Sequence, residues 1–442
     1  MEPRYHSVIL DEDKCKGCTN CIKRCPTEAI RVRNGRAFIL TERCIDCGEC
    51  IRICENHAKR AIGDDLDQAI SFPYRVALPA PSLYAQFRRE LTPKDLNKAL
   101  IRLGFHEVAE VAAAAELTTV AIREYLKDLD RLPKPMISSA CPVVVRLIQM
   151  KYPTLIPHLI PVEAPYITAA RLAREKVCRE RSLRPEEVGL FFLAPCPAKI
   201  TEVKTDTGQV PLINGVIPIS SVYGRLQQAM AHIDEDCSDG GSTTTGVGVG
   251  WARTGGENIA LAQENVLAVD GIHNVLELLE EIELEHLTDV DYIEALACPN
   301  GCVGGALTVE NRFVARVKIR KLAEKLDDSR IPDAVVEEGK RLYAAGKLTQ
   351  KEELRPKAVL QLDNNLADAI RKMGELEEIL AELPGMDCGS CGAPTCRSLA
   401  EDIVLGRAQR ADCVFILREQ INTLAQELLL LAKKRPQALK ED

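Results

Sequence analysis

The chain has 442 residues, 46% of them apolar and 4% aromatic, and a net charge of −8. That length suits two to four domains, and the mild acidity excludes the basic face expected of a nucleic-acid binder. No apolar run reaches the roughly eighteen residues of a membrane span. The opening MEPRYHSVILDEDKC lacks the basic start and apolar stretch of a signal peptide, so a cytoplasmic protein is expected.

Eighteen cysteines in a long chain without a signal point to metal or redox chemistry rather than disulfides. The first 70 residues carry one spacing twice. Cys15, Cys18, Cys21 and Cys25 form the first run, closed by Pro26; Cys44, Cys47, Cys50 and Cys54 form the second, closed by Glu55. C-x2-C-x2-C-x3-C is the bacterial ferredoxin run, in which the fourth cysteine of each run serves the other cluster. Cys15, Cys18, Cys21 and Cys54 are therefore expected to hold one [4Fe–4S] cluster, and Cys44, Cys47, Cys50 and Cys25 a second. Soft thiolates suit iron–sulfur clusters, whereas a zinc site would ask for two C-x2-C pairs. Gly17 and Gly48 let the loops turn tightly.

From about Phe72 short apolar runs alternate with helical periodicity. Tyr74–Leu78, Met136–Ser138, Val188–Leu193, Val247–Val249 and Val266–Val269 read as buried strands, and Leu96–Leu103 and Val275–Ile282 as helices. The alternation predicts α/β layers, whose sites gather at the carboxyl ends of strands. Several strands run into cysteine- and proline-bearing loops: Ala140–Cys141–Pro142, Pro195–Cys196–Pro197 and Cys298–Pro299–Asn300–Gly301–Cys302.

SSACPVVVRL around Cys141, APCPAKITE around Cys196 and ACPNGCVGGA around Cys298 and Cys302 resemble, in order, the three signature segments of the [FeFe]-hydrogenase large-subunit domain. YPTLIPHL, ISS and ARTGGENIA between them add to the resemblance, which covers roughly residues 73–325. It implies a two-lobed α/β domain over 71–330. It also implies that Cys141, Cys196, Cys298 and Cys302 hold the cubane of an H-cluster, with Cys302 bridging to a two-iron subcluster. Lys199 would contact a cyanide of that subcluster, and Glu202 and Ser82 would line the site. The resemblance leaves open whether the full cluster is present or only a cubane, as in the hydrogenase-like proteins of cytosolic iron–sulfur assembly. Cys178 and Cys237 match no signature position.

The sequence departs from the turnover enzymes of that family along their proton path. A cysteine that precedes the first ligand is here Ala140, whose methyl group exchanges no proton. A hydroxyl of the same path falls on Ile160, the relay helix near Leu117–Tyr125 offers only Glu124, and methionines that pack on the subcluster fall on Ala194 and Leu296. Alanine at the first of these positions is what the sensory members show, so weak turnover or hydrogen sensing is implied.

Residues 331–365 read as a helical linker, and 366–416 as a third cluster domain holding Cys388, Cys391, Cys396 and Cys413. DCGSCGAPTC resembles the small [4Fe–4S] domain of corrinoid iron–sulfur proteins, although two cysteine pairs also fit zinc. In 417–442, an amphipathic helix and tail, Leu417, Ile421, Leu424, Leu428 and Leu431 step as a heptad seam. That face would meet either a partner or its own domain's core. The whole predicts an α/β multidomain iron–sulfur protein: a two-cluster ferredoxin-like domain, a hydrogenase-like domain and a small helical cluster domain. Four [4Fe–4S] clusters, possible H2 binding and a redox or signalling protein partner are expected, with no nucleic acid and no membrane span. An electron-transfer subunit holding only cubanes is the competing expectation.

Overall fold

The β-branched and aromatic runs Tyr74–Pro79 and Val188–Ala194 lie side by side in the computed structural model, and every residue of the second is buried. They are the centre of a parallel sheet ordered Glu107–Val108, Tyr74–Pro79, Val188–Ala194, Gly215–Pro218. A second parallel sheet is ordered Val266–Asp270, Tyr292–Leu296, Met136–Ile137. Residues 5–88, 90–205, 211–231, 241–326, 330–357, 362–363 and 365–434 are described by the structure. Cys237 and the tail from Pro436 lie outside them.

Parallel neighbours need crossover connections, and helices supply them here. Pro93–Arg102 starts with a capping box between Thr92 and Asp95. Pro142–Lys151 and Pro197–Lys204 each begin with proline at the first helical position, where its fixed φ and missing N–H carry no penalty. The residue just ahead of each proline is a cysteine, Cys141 or Cys196, so each Cys-Pro pair sits where a strand gives way to a helix. Leu83, Leu96, Leu100, Phe191 and Leu226 fill the core on one face of the four-stranded sheet, and Val76, Tyr166, Leu190 and Phe192 that on the other.

By its contacts the chain forms two units that alternate along the sequence. One comprises Met1–Ile9, Cys44–Arg52 and Lys59–Lys357; the other comprises Leu10–Arg43, Ile53–Ala58 and Ala358–Asp442. Both sheets described above belong to the first. In the second, Ile30–Arg33 and Arg36–Ile39 form an antiparallel hairpin turned by Asn34 and Gly35 at positive φ, the sequence a tight hairpin turn demands. Val32 N–H donates to Gly392 O at 2.8 Å. Arg31 meets Asp402 at 2.7 Å and Arg43 meets Glu401 at 2.6 Å. The helices Leu366–Glu382 and Cys396–Val404 pack through Leu376, Ile379, Leu399 and Ala400.

One expectation needs correcting, and of the two alternatives for the terminal helix one is not seen. Val247–Val249 is not a strand: Gly246–Gly250 is a single helical turn, capped by the Thr245 hydroxyl on Val247 N–H. The alternation that suggested a strand has a packing cause instead. A Cβ at Gly246 would meet Ala323 O at 2.2 Å, and one at Gly248 would meet Ala112 O at 2.2 Å. The terminal helix Val414–Ala432 does not bury its leucine seam in its own domain; Leu417, Ile421, Leu424, Leu428 and Leu431 are 42–65% exposed. Among the described residues no helix is long and apolar enough to cross a membrane.

Candidate metal centres

All three hydrogenase-like segments lie just past the carboxyl ends of parallel strands. Met136–Ile137 leads to Cys141, Val188–Ala194 to Cys196, and Tyr292–Leu296 to Cys298 and Cys302. Tyr74–Pro79 leads in the same way to Ser82. A cavity of about 60 Å³ opens there, walled by Ser82, Ala140, Tyr166, Phe192, Lys199, Trp251, Leu296 and Cys302, among others.

The sulfurs act on one another. Burial pushes the Cys141 thiol up and the Cys196 thiol up to about 12, each also opposed by Cys298; Cys302 is raised by burial and by the other three. Cys141, Cys196 and Cys302 in so dry a place ionise only with strong cationic compensation. Lys199 supplies part of it. Burial opposes its charge, but Cys196, Cys302, Glu202 and Cys141 outweigh that and hold its pKa above the usual lysine value. Its Nζ donates to Ala140 O at 3.5 Å and sits 4.5 Å from the Tyr166 ring centre. Ser82 Oγ is buried without a hydrogen-bond partner. Glu202 stands beside the cavity rather than on its wall, accepting from Tyr166 Oη at 2.5 Å.

Of the expected ferredoxin sets, Cys15, Cys18, Cys21 and Cys54 belong to the second unit, as does Cys25, while Cys44, Cys47 and Cys50 belong to the first. Backbone N–H groups already point at several sulfurs: Ala37 to Cys15 at 3.4 Å, Ala29 to Cys25 at 3.2 Å and Ala58 to Cys54 at 3.2 Å. Cys388, Cys391, Cys396 and Cys413 line one small apolar pocket with Leu399 and Phe415. Cys178 is half-buried against the apolar core, with no site around it among the described residues.

Three participants have no motif to announce them. Arg52 donates to Cys298 Sγ at 3.5 Å while its other nitrogens hold Glu49. Glu257 and Glu294 line the cavity beside Lys199. Glu124, the one acid of the expected relay stretch, instead pairs with Lys127 at 2.5 Å.

Ferredoxin-type cysteine runs and four mutually interacting cysteines at strand ends define an iron–sulfur redox protein with a mixed α/β domain. Comparison with known proteins gives the family. The C-terminal domain of the iron-only hydrogenase large subunit matches residues 74–264 and 252–306, more than half of the chain. A 4Fe-4S dicluster domain matches residues 7–55, and a family described as a putative Fe-S cluster matches 383–415. The chain belongs to the iron-only hydrogenase large-subunit family. It is 23% identical to iron hydrogenase 1 of Clostridium pasteurianum over 73% of this chain and 68% of that one. It is 26% identical to the periplasmic [Fe] hydrogenase large subunit of Nitratidesulfovibrio vulgaris over 44% of this chain, spanning about half of that relative (51%). The fold matches a solved apo [FeFe]-hydrogenase of Chlamydomonas reinhardtii with a TM-score of 0.51 at 18% identity, over 67% of this chain and 97% of the other.

The residues present fit the metal group this family implies. The donor set is soft sulfur, the cavity beside it is largely apolar, and its polar points are a lysine ammonium and an unsatisfied hydroxyl. A compact anionic group finds both charge and donors there.

Proposed function

We propose that this protein is a hydrogen-responsive member of its family, binding or slowly oxidising H2 and passing electrons through [4Fe–4S] clusters. Lys199 carries the reading: a buried ammonium on the wall of the cavity beside the cysteine loops has its charge opposed by burial and sustained by the thiols. Cys141, Cys196, Cys298 and Cys302 would hold a cubane, with Cys302 on the wall of the cavity that would receive a two-iron subcluster. When bound, that group supplies the centre at which H2 is split into protons and electrons.

The chain's own residues do the rest. Lys199 anchors an anionic ligand, Ser82 Oγ offers it a donor, and Trp251, Phe192 and Pro165 keep water out. Ala140 places a methyl where a thiol would exchange a proton, and general acid–base groups are worth roughly 10²–10⁴-fold. Slow turnover follows, which suits a detector. Two further clusters in the ferredoxin runs and one at Cys388, Cys391, Cys396 and Cys413 would conduct the electrons. The exposed seam of Val414–Ala432 would carry the signal to a redox or signalling partner protein.

The second reading, an electron-transfer or assembly-type protein holding only cubanes, is favoured by the likeness to a cytosolic Fe-S cluster assembly factor of Yarrowia lipolytica, 25% identical over 26% of this chain. Hydrogen-driven reduction separates the two. In protein made alongside the hydrogenase maturation machinery, H2 should bleach the cluster absorbance slowly, and Ala140→Cys should speed the bleaching by about 10²-fold or more. No bleaching in either protein contradicts hydrogen chemistry, and equal rates contradict the missing-relay account.

A further inference from the structure

The helix Val414–Ala432 begins on a cysteine of the third expected cluster set. Cys413 is its N-cap, and Val414 and Phe415 line the small pocket of those four cysteines. From Leu417 to Lys434 every residue is exposed, and the helix as a whole has no buried residue. Helices in proteins draw most of their stability from packing an apolar face rather than from propensity. This one has the face without the packing: Val414, Leu417, Ile421, Leu424, Leu428 and Leu431 are 42–65% exposed.

The order of residue types says what fits the seam. Steps of 3, 4, 3, 4 and 3 fix the heptad frame, with Val414, Ile421 and Leu428 at a and Leu417, Leu424 and Leu431 at d. β-Branched residues at a with leucine at d are the set that favours two parallel strands. The flanks are compatible with a like helix. Cys413, Gln420 and Glu427 at g would face Arg418, Ala425 and Ala432 at e, so no like charges meet. Two such seams together expose roughly 1,200 Å² of apolar surface, the lower end of what a specific, stable interface buries. We propose that the chain pairs with a second copy of itself through this seam, as a parallel two-stranded coiled coil. Parallel strands place both Cys413 positions at the same end of the coil, so the C-terminal cysteine sites of the two copies would lie at its root. A redox or signalling partner would then meet a pair of helices rather than one. The pairing goes beyond the hydrogen reading and does not rest on it.

Sedimentation velocity of the full chain with its clusters, under anaerobic conditions at about 1–50 μM, reads the pairing. The wild type should run as a dimer. Leu424→Glu sets a charge in the middle of each seam and should weaken the dimer by about 10²-fold or more, with cluster absorbance reporting that the protein still folds. The exchange variant L417I/I421L/L424I keeps the apolar surface but puts leucine at a and isoleucine at d, and should run as a trimer or tetramer. A benzophenone side chain introduced at position 417 should cross-link to 414–421 of the second copy. A wild-type monomer throughout the range overturns the proposal, and its capture by vesicles of anionic phospholipid would give the seam to a lipid surface instead. A dimer indifferent to Leu424→Glu is built elsewhere on the chain, which overturns it too. An exchange variant that stays a dimer contradicts coiled-coil packing, and cross-links to 424–431 contradict parallel strands.

Discussion

Arg52 shows how much a single side chain can do without belonging to a motif. Its guanidinium reaches Cys298 Sγ at 3.5 Å, and hydrogen bonds to sulfur raise a cluster's reduction potential. Arg52→Met should therefore shift the cluster that Cys298 would hold to a more negative potential, by roughly 60 mV for a bond worth about 1.5 kcal/mol. A potentiometric titration followed by electron paramagnetic resonance reads that shift. Glu257 and Glu294 make a different expectation. Their folded pKa values, about 7 and about 8, lie above the ordinary 4.5. Between those values the folded chain holds protons that the unfolded chain has lost, so stability contributed at low pH is forfeited as pH rises to about 8, by about 1.4 kcal/mol per unit and carboxyl. Denaturation midpoints should fall over that window in the wild type and flatten in E257Q/E294Q. Cysteines were readable in the sequence because cluster loops impose their spacing. Arg52, Glu257 and Glu294 were not, because their partners come from segments far away in the chain and no spacing marks them.

At the scale of elements, periodicity found the long strands and helices. It found Tyr74–Pro79, Val188–Ala194 and Ile272–Glu283 almost to their ends, since burial on a sheet and a helical stripe leave repeating signals. It misread Gly246–Gly250, where alternating glycines reflect close backbone approach, and passed over Gly215–Pro218 and Tyr292–Leu296. In the latter strand the buried acid Glu294 interrupts the apolar run. Ion pairs tie elements together more sharply than periodicity can reveal. Arg31, 1% exposed, and Arg33 both converge on Asp402. Asp402→Ala leaves a buried guanidinium without its counter-charge and should cost about 3–5 kcal/mol. Chemical denaturation should show the loss, whereas an unchanged midpoint would mean that the pair is incidental.

At the scale of the whole molecule, alternating strand and helix signals announced the α/β class, and the strand-end rule placed the sulfur-lined loops. The division into two units was not legible, because it depends on contacts such as Val32 to Gly392 and Arg43 to Glu401 that join segments more than 350 residues apart. The family is established by more than half of the chain. The account turns on whether the cavity beside Lys199 receives the two-iron group and whether that group responds to hydrogen. An infrared spectrum of anaerobic protein matured in a host with the hydrogenase machinery, with and without H2, measures this directly. Carbonyl and cyanide bands that shift under H2 are the expected result; a full complement of cubane iron with no such bands would contradict it.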